Sequence, residues 1–131
     1  MKNRIARHQL ERDPSWETVE APLDVSNAIL ASGRNAGVVL VDCLTLWISN
    51  LLMEKEDADY VLSKIPDLIH AIDSVNSPLV LVSNEVGGGI VPENRIARLF
   101  RDLVGAVNQA VAAKADEVVW MVAGIPVIVK G

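Results

Sequence analysis

Leu79-Val80-Leu81-Val82-Ser83-Asn84-Glu85-Val86-Gly87-Gly88-Gly89-Ile90-Val91-Pro92-Glu93-Asn94 is the stretch that decides how the rest of the chain is read. Its first four residues form a short, branched apolar run, the composition of a buried strand. A polar stretch and three consecutive glycines follow, and Pro92 opens a long helical pattern. Strand, glycine-rich turn and helix start, in that order, is how α/β proteins build ligand sites at the carboxyl edge of a parallel sheet. Glycine permits backbone angles and close approaches that a Cβ forbids. A tight connection with no ligand has the same pattern, so both uses of the loop stand at this point.

Outward from the loop, helix and strand signals alternate. Residues 2–12 are polar and predicted helical, and a short extended piece around Trp16–Glu20 leads to Pro22. Asp24 can cap a helix that Gly33 closes. Val38–Asp42 is an apolar run ending in a carboxylate, the pattern of a central parallel strand. Leu44, Trp47, Ile48, Leu51 and Leu52 then recur at helical spacing. Residues 58–75 carry Val61, Ile65, Leu68, Ile69 and Ile72 at the same spacing, with Pro66 breaking or restarting the helix. Beyond the glycines, Ile96, Leu99, Phe100, Leu103, Val104, Val107 and Val111 form one continuous stripe, first of all a core face, with length to spare for an oligomer contact. Val118–Ala123 and Pro126–Val129, separated by Gly124, read as two last strands. Repeats, linkers and low-complexity tracts are absent from the sequence, so residues 1–131 read as one domain. The predicted fold class is α/β, a mostly parallel sheet covered by helices.

Composition narrows the function classes. The chain has 131 residues, half of them hydrophobic, with a net charge of −5. The pI is about 4.9. Without a Lys/Arg cluster beyond an N-terminal scatter, nucleic-acid binding is disfavoured, because that affinity rests on phosphate neutralisation. Small anionic ligands, which need only local positive groups, are not. The lone Cys43 allows no internal disulfide, which fits a reducing, cytoplasmic setting. No apolar stretch reaches membrane-spanning length and no signal-type apolar core follows the N-terminus.

Several residues have two readings. Asp42, at a strand end, can hold Mg²⁺ or orient a substrate hydroxyl, or it can cap the helix from Leu44. Asn84 and Glu85 end the neighbouring strand and would line the same edge. Glu85 can meet metal or substrate there, or tie down the glycine loop. Pro92 and Glu93 suit a first helical turn and need no function. His70 lacks partners at ligand spacing and reads as structural or exposed. Cys43 reads as packing volume, Trp47 as core, and Trp16 and Trp120 as core or subunit contacts.

Arg4-Ile5-Ala6-Arg7-His8, Arg12, Trp16, the Val38–Asp42 strand, Ser83-Asn84-Glu85-Val86-Gly87 through Val91-Pro92-Glu93-Asn94-Arg95, Phe100-Arg101-Asp102 and Val107-Asn108-Gln109 together resemble the bifunctional adenosylcobinamide kinase / adenosylcobinamide-phosphate guanylyltransferase family. The resemblance covers essentially the whole chain. It implies a P-loop NTPase, RecA-like fold. It also implies phosphorylation of adenosylcobinamide with ATP or GTP, then transfer of GMP from GTP through a guanylyl-histidine to give adenosylcobinamide-GDP. His8 matches that histidine, and an imidazole neutral and nucleophilic near neutral pH suits the role; as bare sequence it is a solvated side chain. Gln9, Leu10, Glu11, Arg12, Glu20 and Asp42 match nucleotide-binding positions, with Glu20 suited to the N–H edge of guanine and Asp42 to Mg²⁺. Arg7 and Arg12 can steady phosphate oxygens. The family also implies a homotrimer and a strand and P-loop ahead of the position of Met1. No G-x-x-x-x-G-K-[ST] occurs in the sequence, so the expectation is a chain missing its first strand and P-loop, with an open sheet edge and marginal solubility or partner-dependent folding. Beside an enzyme of cobalamin biosynthesis and salvage stand two rivals: an impaired fragment that only binds nucleotide or corrinoid or joins full-length subunits, and a plain α/β structural domain.

Overall fold

A computed structural model describes residues 2–131, with the order α1 (Lys2–Glu11), α2 (Val25–Ser32), β1 (Val39–Asp42), α3 (Leu44–Glu54), α4 (Ala58–Leu62), α5 (Ile65–Ser74), β2 (Leu79–Val82), α6 (Arg95–Lys114), β3 (Val118–Val122) and β4 (Ile125–Lys130). The two apolar runs predicted as parallel strands do pair in parallel, in register from Val39 opposite Leu79 to Asp42 opposite Val82. Side chains alternate across the pair. Val39, Val41, Leu79 and Leu81 turn towards the helices, while Leu40, Val80 and Val82 are exposed on the other face.

The core lies between that inner face and the helices. Ile29 of α2, Leu44, Ile48 and Leu51 of α3, Val61 of α4, Leu68 of α5 and Val104 and Val107 of α6 are almost wholly buried. Each such side chain contributes about 1.5–3 kcal/mol of transfer free energy. Trp47 joins them as expected and donates its indole N–H to the Leu23 carbonyl at 2.8 Å. That bond and the one from Asn50 Nδ2 to the Pro22 carbonyl at 3.1 Å fix where the chain enters α2.

The sheet departs from expectation. Among the described residues the parallel pair has two strands, and β3 and β4 form a separate antiparallel hairpin. Ala123 and Gly124, both at positive φ, close it, the two-residue turn whose twist matches a right-handed strand pair. The hairpin is almost entirely exposed, tied to α6 by Lys130 Nζ, which donates to the Ala112 carbonyl at 2.9 Å. A cation on the last carbonyls of a helix satisfies orphan acceptors and complements the macrodipole.

Local signals fared unevenly. Asp24 caps α2 through Asn27 N, and Gly33 follows its last residue, as expected. Residues 58–75 divide into α4 and α5, with Pro66 in the first turn of the second. Trp16–Glu20 forms no strand, and Pro92 and Glu93 precede α6 rather than open it. Asn94 is the cap there: its Oδ1 accepts from Ile96 N at 2.8 Å and Ala97 N at 3.2 Å.

Gly33 has an ordinary right-handed helical backbone, so its φ does not require glycine. Space does: a Cβ there would overlap Val75 Cγ2 and lie 3.1 Å from the Ile29 carbonyl. Gly33→Ala is expected to cost about 1–3 kcal/mol in urea unfolding, and Val75→Ala in the same chain to recover part of it. A Gly33→Ala protein as stable as the parent would show that α2 and α5 are not held at that separation.

Candidate functional site at the carboxyl edge of the parallel strands

Parallel pairing brings the ends of β1 and β2 to one edge, where Asp42 and the segment Ser83–Glu85 meet. A closed ring of hydrogen bonds fixes the backbone there. Asn84 N donates to Thr45 Oγ1 at 2.9 Å. Ser83 Oγ donates to Asn108 Oδ1 at 2.6 Å, and Asn108 Nδ2 donates to the Asn84 carbonyl at 3.0 Å. Since the Ser83 proton is committed to Asn108, the 3.4 Å approach of Thr45 Oγ1 to Ser83 Oγ has Thr45 as donor. Every member both gives and receives, so each bond polarises the next. Thr45 belongs to α3 and Asn108 to α6, so the ring ties two helices to the end of β2.

Around the ring stand the acidic groups. Asp42 is exposed and, among the described residues, its carboxylate accepts no hydrogen bond and joins no ion pair. It does not cap α3. Cys43 does, its Sγ accepting from Leu46 N at 3.4 Å, so the capping role for Asp42 does not hold, and half-buried Cys43 has a cap to serve besides its volume. Glu85 turns back on the loop, its Oε1 accepting from Gly87 N at 2.9 Å, which is the structural alternative raised for it. Arg101 grips the carbonyl of the same Gly87.

His8 lies elsewhere. It sits exposed in the last turn of α1, a helix with no buried residue. Gln9, Leu10 and Glu11 complete that helix, and Arg12 follows it. Arg7 pairs with Glu11 at 2.7 Å, and Arg12 donates to Thr18 Oγ1. Among the described residues neither arginine hydrogen-bonds to His8. Asp13 turns the chain by accepting from Ser15 N at 2.8 Å, and that bond holds its carboxyl below the usual carboxylate range. Glu20, also exposed, comes after this turn. No hydrogen bond or ion pair joins α1 to the sheet edge among the described residues. The structure thus gathers Asp42, Asn84 and Glu85 and leaves His8, Gln9, Leu10, Glu11, Arg12 and Glu20 as a separate exposed group.

The more enclosed clefts are not at this edge. One of about 500 Å³ lies among α2, α3, α4 and α5, lined by Trp47, Tyr60, Lys64 and His70. Desolvation, and then the Glu54 carboxylate, push the Tyr60 phenol up, while Lys64 Nζ sits 5.0 Å from its ring centre. These groups are occupied with one another, and His70 is exposed as expected. Among the described residues no three His, Cys, Asp or Glu side chains form a metal cluster, and no helix is long and apolar enough to cross a membrane.

A sequence model for cobinamide kinase / cobinamide phosphate guanyltransferase matches residues 1–129. The chain belongs to that family. It is 35% identical over 131 residues to the bifunctional adenosylcobalamin biosynthesis protein CobP of Pseudomonas aeruginosa, covering 100% of this chain and 75% of that protein. It is 40% identical over 142 residues to the bifunctional adenosylcobalamin biosynthesis protein CobU of Escherichia coli, covering 99% of this chain and 78% of that protein. The namesake of Salmonella typhimurium matches to the same extent. The α/β arrangement with a small parallel sheet is consistent with a family enzyme of P-loop type. Within it, sequence reading missed the roles of Thr45, Ser83 and Asn108: single hydroxyl and amide groups have no spacing signal, and only the fold brings them together.

Asn108→Ala leaves the Ser83 hydroxyl proton without its acceptor and the Asn84 carbonyl without its donor, and is expected to cost about 1–3 kcal/mol in urea unfolding. Thr45→Val, which strands Asn84 N, should cost a similar amount. The double variant should cost less than the sum, because either change already opens the ring. Strict additivity would show that the bonds do not act together.

Proposed function

We propose that this chain works in cobalamin biosynthesis as an adenosylcobinamide kinase and adenosylcobinamide-phosphate guanylyltransferase, with His8 as the GMP acceptor. The family match along residues 1–129 carries this reading. The exposed place of His8 at the end of α1 supports it, since a nucleophile that receives and passes on a group needs open access.

In the guanylyl half, an imidazole nitrogen of His8 attacks the α-phosphorus of GTP. A P–N bond forms, the bond from the α-phosphorus to the α,β-bridging oxygen breaks, pyrophosphate leaves on that oxygen and the other ring nitrogen gives up its proton. A phosphate oxygen of adenosylcobinamide phosphate then attacks the same phosphorus. The P–N bond breaks, a P–O–P link forms and the imidazole is regenerated. Neutral imidazole near pH 7 serves both as nucleophile and as leaving group. Arg12 and Glu20 belong to this half, with Gln9, Leu10 and Glu11, as nucleotide contacts. In the kinase half Asp42, with Asn84 and Glu85 beside it, faces the phosphoryl donor and the cobinamide hydroxyl. A lone carboxylate with free lone pairs suits Mg²⁺, which keeps most of its waters and completes its shell from substrate phosphates; bound there it would neutralise charge on the phosphates. The same reading has ATP or GTP as donor and assembly as a trimer, for which the apolar side chains exposed on β3 and β4 offer surface to cover.

Intact-mass spectrometry after incubation with GTP and Mg²⁺ tests it. The expected result is a GMP-sized increase that is acid-labile and absent from His8→Ala. An increase that persists in His8→Ala, or none in a folded sample, would sink the assignment of His8.

A further inference from the structure

The glycine loop has a feature that the fold leaves unexplained. Gly88 and Gly89 have no positive φ, and a Cβ on either would meet nothing within 4 Å. Neither backbone angle nor crowding inside the chain calls for glycine at these two positions. Gly87, by contrast, is held on both sides, by Glu85 at its N–H and Arg101 at its carbonyl. Beyond the glycines, Arg98 grips the other end through the carbonyls of Pro92, at 3.1 Å, and Glu93. Gly88 to Val91 is therefore a strap between two pinned ends, and among the described residues the Gly88 and Gly89 amides donate to no acceptor.

The two gripping arginines are electrostatically open. Arg95, a turn earlier on the same helix, pairs with Glu56 at 2.7 Å. Arg98 and Arg101 have no carboxylate within ion-pair distance among the described residues; their recorded partners are neutral carbonyls. Most of each guanidinium's N–H donors remain free. Of the nearby acids, Glu85 accepts from Gly87 N, while Glu93 and Asp102 form no ion pair among the described residues. In a chain of net charge −5 these are two guanidinium groups that, among the described residues, have no ion-pair partner and stand on the loop with the free amides. Fork-shaped guanidinium donors and successive backbone N–H groups are the two devices by which proteins hold phosphate, and glycine is needed where a ligand atom must come close to the backbone.

We infer that Gly88, Gly89, Arg98 and Arg101 form a binding site for a phosphate monoester, separate from the His8 segment, and that the glycines are there for the ligand rather than for the fold. The inference rests on the proposed function for the identity of that ester. Ile90, 98% exposed, and Val91 stand at the tip of the strap. Such apolar surface suits a ligand whose phosphate is attached to a large body, so cobinamide phosphate is favoured over a nucleotide.

Calorimetric titration of the chain with cobinamide phosphate, cobinamide and GTP tests this and reads binding directly, whether or not His8 takes up GMP. The parent is expected to bind cobinamide phosphate at least about tenfold more tightly than cobinamide, an advantage that Arg101→Gln and Gly88→Ala each largely remove. Gly88→Ala should melt no lower than the parent, since its site is open and its φ ordinary. Weakening confined to GTP would keep the phosphate site and assign it to the nucleotide. Equal affinity for the two corrinoids with GTP binding untouched by either variant, or a Gly88→Ala protein that binds normally but melts lower, would overturn the inference.

Discussion

Four residues of parallel pairing, Val39–Asp42 against Leu79–Val82, set the geometry on which the rest depends. Parallel strands require a crossover between them, and here α3, α4 and α5 supply it and become the helical cover of the inner face. The same direction of travel delivers both carboxyl ends to one edge. A slip of one residue would turn Val39, Val41, Leu79 and Leu81 away from the core. It would also carry Ser83 and Asn84 out of reach of Thr45 and Asn108. Register is thus specified twice, by burial along the strands and by the hydrogen-bond ring at their end.

The pair is covered on one face. Leu40, Val80 and Val82 lie open on the other, and Trp120, Met121, Ile125 and Ile128 are exposed on the separate hairpin. Exposed single apolar residues are ordinary, but contiguous ones mark contact surface. The helical side is in a different condition. Ile48, Val61, Leu68, Val104 and Val107 are sealed, and among the described residues no buried side-chain polar atom lacks a partner. Cohesion therefore resides in the layer formed by α2 to α6, and the strands serve mainly to aim the loops that leave them.

Much of this was legible in the sequence, for physical reasons. Val39–Asp42 and Leu79–Val82 are short branched runs that favour extended backbone, and the stripes of α3 and α6 are long enough for period to decide. The Asp24 cap is a local interaction and needs no knowledge of the fold. The hairpin was not legible as one, because a strand pattern names no partner: only the positive φ at Ala123 and Gly124 turns β4 back on β3. The start of α6 was misplaced because Pro92 suits a first turn by its φ, yet Asn94 offers a side-chain acceptor and takes the cap. Cys43 took the capping place given to Asp42 for a related reason, as the residue beside the helix whose side chain reaches Leu46 N. Asp42 is left without a hydrogen-bond or ion-pair partner among the described residues. The edge itself was legible as Asp42, Asn84 and Glu85, whereas Thr45, Ser83 and Asn108 come from separate segments and meet only after folding.

Glycine shows the same division between what a chain needs for itself and what it needs for others. Gly33 answers to Val75, a neighbour that leaves no room for a Cβ. Gly124 answers to its own backbone, at a φ of 74°. Gly88 and Gly89 answer to neither, and each adds unfolded-state entropy that an alanine would reduce. A residue type that costs stability and has no internal cause points to a cause outside the described chain. Here it stands on a strap held by two arginines that have no ion-pair partner among the described residues, next to the edge where Asp42 stands. Fold and function are separable in this loop: the pinned ends belong to the fold, and the open middle belongs to whatever binds.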